Sequence, residues 1–333
     1  MAIRECLLGL AAALFAGCIV GGAQAQDKVS IGMSSASFGT ASVRVAKELG
    51  LFAKHGVEAS IITMDSPIAA TTAVISGSLD FALSGPNELI ISNLRGRDLI
   101  GVVKTYEGFA TTVVVTNAVA DKSGLTLKDP VQKRLGALDG VLIASSSPTS
   151  LSTTALKQAG ERAGAHIRFT HMAQGAMPAA METGAVQGYI ASAPYWSMPV
   201  LNGTGKVWIA GPAGEFDADL VASSSGQMQV TRAFAKSKPE VVKSVVAALS
   251  DLAQMITQDP EAVKAAVARV FPDLSRQALD LLCASELPAW SASPVTVSDI
   301  KRDIAYAKIS NAGLTGYEKL DPENLIWIHT VIK

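Results

Sequence analysis

The sequence predicts an α/β fold built from mainly parallel sheets with flanking helices. Over residues 28–85, a short apolar strand, an amphipathic helix, a second strand, a second helix and a third strand follow one another. Strands that alternate with helices in this way form parallel sheets with right-handed crossovers. A similar alternation returns over residues 141–210. We therefore expect a second sheet of the same kind in the middle of the chain.

The elements of the first sheet follow from apolar spacing and from turn residues. The predicted elements are strands over 29–33 and 57–64, a third strand ending before Gly85, a strand over 99–104, and helices over 41–51, 68–76 and 87–94. Tyr106, Glu107 and Gly108 are expected to break the fourth strand. We place the first crossing between the two sheets near Gly108.

The second half of the chain continues the pattern and then becomes helical. The predicted elements are strands over 111–116, 141–144, 167–172, 186–191 and 207–210, and helices over 131–138, 177–183 and from the serine cluster at 145–150 to about 163. Residues 120–130 are polar and read as turns, and 211–214 read as the second crossing. In the helical tail, Ser237 and Glu240 have the spacing of a capping box, while Asp259 and Thr296 each mark a helix start.

Hydroxyl residues follow the predicted strands at their carboxyl ends, which is where parallel sheets bind ligands. Helix starts beside such hydroxyls offer free N–H groups to an anionic or carbonyl oxygen. The alternative reading is that these serines only cap helices. The predicted ligand-binding residues are Ser35, Ser37, Phe38, Ser66, Ser84, Asn87, Tyr106, Ser146, Thr149, Gln174, Ser192 and Tyr195. His171, near a strand end, is a weaker candidate.

Several classes of function lack the residues that they need. The net charge is −1, with no basic stripe among aromatic residues, so we expect no nucleic-acid partner. No histidine or cysteine spacing suits zinc, and no nucleophile motif or nucleotide loop is present. We therefore predict no catalytic residue, no metal and no cofactor. Arginine is missing from the predicted binding loops, which favours a neutral or weakly anionic organic solute.

Residues 1–25 read as a secretory signal peptide. Arg4 precedes the apolar run 7–20, and the small residues Ala23 and Ala25 suit cleavage after Ala25. A lipid anchor at Cys18 is the alternative, although the apolar run continues past that cysteine. Cleavage after Ala25 leaves Cys283 as the one cysteine of the mature chain, and its apolar neighbours predict a buried thiol.

Three segments resemble a known family. They are AKELGLFAKHGVEASII at 46–62, ISGSLDFALSGP at 75–86 and MPAAMETGAVQGYIASAPYW at 177–196. They are similar to the solute-binding proteins of ABC importers, in the branch that takes up nitrate, sulfonates, taurine and thiamine-precursor pyrimidines. Gln187 and Gly188 stand where that family usually has an acidic residue, which weakens any detailed transfer.

The resemblance implies a two-lobed periplasmic-binding-protein fold of type II. Residues 26–108 and 214–333 would form the first lobe, and 109–213 the second. It also implies a periplasmic monomer that closes on a small organic solute and delivers it to a membrane permease with its ATPase. Two alternatives remain open. One is an enzyme on the same bilobal fold, related to the pyrimidine-precursor synthases, and the other is a ligand-binding module of a sensor.

Overall fold

The computed structural model describes residues 26–33, 37–64, 66–148, 150–311 and 313–327. Ten strands within these ranges form two sheets of five strands each. The strands are β1 (Asp27–Met33), β2 (Val57–Thr63), β3 (Phe81–Ser84), β4 (Leu99–Glu107), β5 (Thr112–Thr116), β6 (Leu142–Ser145), β7 (Arg168–His171), β8 (Gly188–Ala191), β9 (Gly205–Ala210) and β10 (Ser224–Thr231). The predicted signal peptide at 1–25, with Cys18 and Ala25, lies outside the described residues, as do Ser35 and Thr149.

Helices cover both sheets and form most of the tail. They are α1 (Ser42–Glu48), α2 (Leu51–Lys54), α3 (Pro67–Ile75), α4 (Pro86–Leu94), α5 (Asn117–Ser123), α6 (Val131–Gly136), α7 (Leu151–Arg162), α8 (Met177–Glu182), α9 (Ser197–Leu201), α10 (Arg232–Ser237), α11 (Pro239–Gln258), α12 (Pro260–Val270), α13 (Arg276–Glu286) and α14 (Val297–Ser310). Within the described part of the chain, no helix is long and apolar enough to cross a bilayer.

The first sheet has the strand order β2-β1-β3-β10-β4 and the second has the order β7-β6-β8-β5-β9. In the first, β1 runs parallel to β2 and β3, whereas β10 is antiparallel to β3 and β4. In the second, β6 runs parallel to β7 and β8, whereas β5 is antiparallel to β8 and β9. The predicted α/β class with two mainly parallel sheets is therefore confirmed.

Alternating side chains divide the first sheet between two apolar layers. On β3, Phe81 and Leu83 join the layer that contains α1, α11 and α12, while Ala82 faces the layer under α3, α4 and α14. The tail helices α11 and α12 pack on α1, and α14 packs on α4. This arrangement follows the pleat of a strand, which sends successive side chains to opposite faces. The helical tail therefore completes the covering of the first sheet.

Helix starts explain several of the sequence predictions. Asp259 caps α12 through the Ala262 N–H, and Thr296 forms a capping box with Asp299. The capping box predicted at Ser237 is wrong. Ser237 is the last residue of α10, where its hydroxyl donates to the Phe234 carbonyl at 3.2 Å. Because α10 ends directly before α11, Ser237 is not free to cap the second helix.

Two other predictions fail because tertiary packing extends local structure. Residues 120–130 were predicted as turns, but residues 120–123 belong to α5. The buried Val119 and Ala120 of this helix pack into the core of the second sheet. Tyr106 and Glu107 were expected to break a strand, yet β4 continues to Glu107. There β4 pairs with β10 as far as Glu107 opposite Ser224, so pairing with β10 extends the strand past its predicted end.

Candidate ligand-binding cleft

The edges of the two sheets that hold the carboxyl ends of the parallel strands are neighbours, as the strand directions require. Strand β4 runs parallel to β1 and β3, so Glu107 ends at the edge where their carboxyl ends lie. Strand β5 runs opposite to β8, so Thr112 begins at the edge that holds the carboxyl ends of β6, β7 and β8. Only residues 108–111 separate β4 from β5. The two edges must therefore be neighbours.

The two crossings are hydrogen-bonded to each other. The Ser225 hydroxyl donates to the Gly108 carbonyl at 2.9 Å and accepts from the Ala110 N–H at 2.8 Å. The Gly211 N–H donates to the Thr111 carbonyl at 3.1 Å. A Cβ on Gly211 would lie 2.2 Å from that carbonyl, so only glycine allows this approach. The crossings therefore form one compact connection between the two sheets.

Glu286, at the end of α13, connects the first sheet to the segment after β8 of the second. Its carboxylate accepts from the Tyr106 hydroxyl at 2.5 Å and from the Trp196 indole N–H at 2.8 Å. Tyr106 lies on β4 of the first sheet, while Trp196 precedes α9 beside the second. All three side chains are buried. Burial raises the pKa of Glu286, and the two donors oppose that effect. Local sequence patterns carry no signal for this contact, because its members are far apart in the chain.

The predicted residues on the first edge include both caps and partly exposed side chains. Ser66 caps α3, where its hydroxyl accepts from the Ala69 N–H at 3.1 Å. Ser84, at the end of β3, is buried, and its hydroxyl oxygen accepts a hydrogen bond from the Thr71 hydroxyl at 3.4 Å. Asn87 accepts from the Asn311 side chain at 2.9 Å. Ser37 is partly exposed before a short 3₁₀ helix. For Ser66, the capping alternative is the one that the structure shows.

Glu88 was missed by the sequence prediction. Burial raises the pKa of its carboxyl, while the main chain at Glu88 and Gly85 and the Ser84 hydroxyl oppose that effect. The carboxyl lies close to Gly85, because a Cβ on that glycine would be 2.9 Å from Glu88 Oε2. A glutamate at the third position of a helix that begins after Gly85 is the signal that would have found it.

The predicted residues on the second edge lie close together along the chain segments after β6, β7 and β8. Ser146 is exposed directly after β6. The Gln174 side-chain oxygen accepts from both the N–H and the hydroxyl of Ser192, each at 2.9 Å. Tyr195 is 36% exposed. His171 is exposed, and its Nδ1 lies 3.0 Å from the Ser145 hydroxyl. These side chains give the second edge a polar surface.

Two predicted aromatic contacts lie in the core instead. Phe38 is fully buried and stacks on Phe271 with ring centroids 4.7 Å apart, and its carbonyl accepts from the Trp290 indole. Tyr106 is fully buried in β4 and bonded to Glu286. Both were predicted as ligand contacts at strand ends, but residues of the tail cover them, Phe271 against Phe38 and Glu286 against Tyr106. Neither ring offers surface to a solute in this structure.

Three buried polar side chains near the first edge have atoms without a hydrogen-bond partner among the described residues. Both amide atoms of Gln227 are unpaired, as are the Thr105 and Tyr306 hydroxyls. Gln227 lies directly opposite Ser84 in the β10–β3 pair. Such groups are costly to bury alone, so they mark places where water or a ligand would bind. Across the same part of the chain, no group of three acidic, His or Cys residues is placed to hold a metal.

An apolar groove of about 880 Å³ runs between β9 and α13, lined by residues such as Leu125, Val207 and Leu281. Strand β9 is the outer strand of the second sheet. The lining also includes Thr112 at the start of β5, Ala210 at the end of β9 and Pro212 in the second crossing. The groove therefore extends along this outer strand as far as the connection between the two sheets.

Residues 22–271 match the model of the NMT1-like family. The chain belongs to the NMT1-like family. No curated protein matches the sequence significantly. Among solved structures, it is similar to the periplasmic aliphatic sulphonate binding protein SsuA of Escherichia coli, at 20% identity and a TM-score of 0.70, over 90% of this chain and 97% of that one.

Two further structures have the same fold. The periplasmic nitrate-binding protein NrtA of Synechocystis PCC 6803 is 14% identical with a TM-score of 0.53, over 79% of this chain and 69% of that one. The Candida albicans CA3427 gene product, described as having the generic periplasmic binding protein fold, is 11% identical with a TM-score of 0.56, over 92% and 99%. The predicted family resemblance and the periplasmic-binding-protein fold are confirmed.

Proposed function

We propose that this protein captures a small organic solute outside the cytoplasm for an ABC importer. The observation that carries the proposal is that two sheet edges meet across a pair of crossings, since each edge ends three parallel strands in polar residues. Membership of the NMT1-like family and the shared fold support it. The partners would be a membrane permease and its ATPase, and the protein would act as a periplasmic monomer after removal of residues 1–25.

The two sheets belong, in this proposal, to two lobes with the boundaries predicted from sequence. Residues 26–108 and 214–333 form one lobe, and 109–213 form the other. A solute that contacts both edges only when they approach favours the closed arrangement, so binding shifts the population toward closure. The compact hinge at Gly108 and Gly211 is where that movement would occur.

The solute would be held by polar and aromatic side chains that remain accessible at the edges. On the second edge these are Ser146, Gln174, Ser192 and Tyr195, which follow three neighbouring strands. On the first edge, Ser37 is retained as a partly exposed candidate, and the buried Ser84 stays a prediction from sequence. Ser35 on the first edge and Thr149 on the second also remain candidates from sequence alone. Hydroxyl, amide and phenol groups suit an organic solute that is oriented by a few hydrogen bonds.

A melting-shift screen tests this function on the chain expressed from residue 26. Sulfonates, aromatic carboxylates, nitrate, pyrimidines and amines are compared, each at millimolar concentration. We expect one chemical class to raise the melting temperature, because a ligand at about 100 times its Kd adds about 2.7 kcal/mol of stability. Recovery of the bound compound unchanged, by mass spectrometry, agrees with capture. Conversion of the compound would instead support the alternative of an enzyme on this fold.

Variants then place the solute in the cleft. Ser146→Ala and Ser192→Ala should each weaken binding by roughly 2- to 10-fold, the value of one hydrogen bond. Ser78→Ala is the matched control, because Ser78 is exposed shortly before β3 begins, at the opposite edge of the first sheet. If the control and the two edge variants weaken binding equally, the solute does not bind between the edges.

A further inference from the structure

The groove between β9 and α13 has the size and the lining of a small-molecule site. Its volume of about 880 Å³ lies within the range of roughly 300–1,000 Å³ that such sites occupy. Its walls are mostly apolar and include Trp196 and Trp208, while Leu127, in the loop after α5, is 53% exposed. Of the predicted ligand-binding residues that the structure describes, none lines this groove. It is therefore a candidate for a second site.

The groove follows a strand for that strand's whole length. Its lining begins at Gly205, the first residue of β9, reaches Ala210, the last, and continues to Pro212. At about 3.4 Å per residue step, β9 alone spans about 17 Å. Apolar affinity grows with the surface that leaves water. A linear alkyl chain that lies along β9 would therefore bury more of its surface than a short or compact molecule.

The outer edge of β9 is not open to an added strand. The Arg134 guanidinium donates to the Trp208 carbonyl, and the Ala210 N–H donates to the Glu215 carboxylate at 2.7 Å. A peptide that binds as an extra strand needs such main-chain groups to be free. The groove therefore favours an occupant without a peptide main chain, which is a small molecule and not an extended protein segment.

The charged residues of the groove are cationic. Lys128 and Lys206 line it, and none of the described residues in its lining is acidic. The Lys206 ammonium forms a surface ion pair with Asp121 at 2.7 Å. Lys128 is exposed, and its ammonium has no ion-pair partner in the described part of the chain. Ammonium groups beside an apolar wall are complementary to a molecule with an apolar chain and an anionic end.

We propose that this groove binds a free alkyl carboxylate of medium or long chain. The chain lies between β9 and α13, and the carboxylate lies at Lys128 and Lys206. The site is additional to the cleft between the sheet edges, and it does not depend on which solute that cleft takes. Trp196 and Trp208 stand in its wall, so an occupant should change the tryptophan fluorescence of the protein.

The first test titrates decanoate into the chain expressed from residue 26, below the micelle concentration, with calorimetry and tryptophan fluorescence as readouts. Octanoate should bind roughly tenfold more weakly, because each CH₂ group changes affinity by about threefold to fourfold. Decylamine has the same chain with the opposite charge. It should bind at least about threefold more weakly than decanoate, since exposed lysines attract a carboxylate and repel an ammonium group.

Ala284→Trp then tests the groove itself. Ala284 is exposed on α13 and lines the groove, so an indole there fills the space without removing a core contact. Decanoate affinity should fall by at least about tenfold, the loss of a few buried CH₂ groups. Ala265→Trp is the matched control, because Ala265 is exposed on α12 outside the lining. Circular dichroism and melting show whether both variants fold.

A pair of lysine substitutions tests the anionic end and does not depend on the folding of Ala284→Trp. Lys128→Gln combined with Lys206→Gln should weaken decanoate by about threefold and should not weaken decylamine. Lys47→Gln combined with Lys301→Gln is the matched control. Both of these lysines are exposed, on α1 and α14, and their loss changes the net charge equally.

Four outcomes overturn this inference, and each leaves solute capture between the edges intact. Decanoate that fails to bind, or binds no more tightly than octanoate, is the first. Decanoate binding that Ser146→Ala weakens and Ala284→Trp does not would place the carboxylate in the cleft. Dimerisation in sedimentation that Ala284→Trp abolishes would make a second copy the occupant. Binding to phosphatidylglycerol vesicles without binding of free decanoate would make it a membrane surface.

Discussion

The Tyr106 hydroxyl donates to the Glu286 carboxylate across 2.5 Å, inside the core and beside the first crossing. Tyr106 belongs to the last strand before that crossing, whereas Glu286 belongs to the tail helix α13. The same carboxylate accepts from Trp196, which follows β8 of the second sheet. The tail therefore adds a third connection between the two sheets, beside the two crossings of the main chain.

Tyr106→Phe should lower the free energy of unfolding by about 1–3 kcal/mol. The variant keeps the ring but leaves a buried carboxylate with one donor fewer, and an unsatisfied buried group costs about that much. Urea denaturation at pH 7 measures the change. Tyr195→Phe is the control, since Tyr195 is 36% exposed, and its stability should change by less than about 0.5 kcal/mol. Equal losses of unfolding free energy in both variants would show that the hydrogen bond to Glu286 does not stabilise the fold.

Phe38→Ala should destabilise the fold by about 3–5 kcal/mol, as for other large side chains removed from a core. Its ring is fully buried against Phe271. Tyr195→Ala, on the second edge, should cost far less stability and should instead weaken solute binding. Chemical denaturation and titration of both variants compare the two effects. A Phe38→Ala protein of normal stability that no longer binds solute would restore the original prediction that Phe38 is a ligand contact.

The fold was predictable because its signals are local. Apolar runs separated by helix-forming segments gave the parallel strands, and nearby polar residues such as Asp259 and Thr296 gave the helix starts. Cys283 is buried, as its apolar neighbours predicted. The predicted first crossing near Gly108 agrees with the observed end of β4 at Glu107.

The site was only partly predictable, because its composition depends on long-range packing. Phe38 and Tyr106 were predicted as ligand contacts since they stand near strand ends, and nothing local shows that Phe271 and Glu286 cover them. Strand β10 brings Gln227 opposite Ser84 from far along the chain. A sequence pattern gives the edge on which a residue stands, whereas the tail decides which side chains stay exposed.

Substitutions of Ser146 and Ser150, in the loop after β6, should distinguish a serine that caps a helix from one that is free to bind solute. Ser150→Ala removes the N-cap of α7 and should cost about 1 kcal/mol of stability. Ser146→Ala removes an exposed hydroxyl and should change stability by less than about 0.5 kcal/mol. Thermal unfolding of both variants, at identical protein concentration, measures the difference. The reverse order of stabilities would contradict the assignment of Ser150 as the cap.

Asp303 should make the protein more stable in mild acid. Burial raises its pKa from 3.8 to about 6, against two hydrogen bonds from Ser223. The folded chain then keeps a proton that the unfolded chain releases, so the stability contribution is complete below about pH 4 and is lost as pH rises through about 6. The expected change is roughly 3 kcal/mol, from two pKa units.

Asp303→Asn tests this dependence. Urea denaturation at pH 4.5 and pH 7.0 should show a smaller difference in the variant than in the unmodified chain. Asp273→Asn is the control, because Asp273 is exposed and should leave the difference unchanged. The charges of Arg302 and Asp299 have smaller effects on the pKa of Asp303 than burial has. Added salt should therefore change the pH dependence of stability much less than the substitution does. An unchanged slope in Asp303→Asn would show that other carboxyls control it.

The most direct test of solute capture between the two edges is a distance measured across them. Spin labels on Thr72→Cys in α3 and Lys157→Cys in α7 occupy exposed positions beside opposite edges. Burial raises the pKa of the native Cys283 thiol to about 11, so that residue should not take the label. Saturation with the solute found by the melting-shift screen should shorten the label distance, with a midpoint equal to the Kd. An unchanged distance distribution at saturating solute would contradict closure on a ligand held between the sheets.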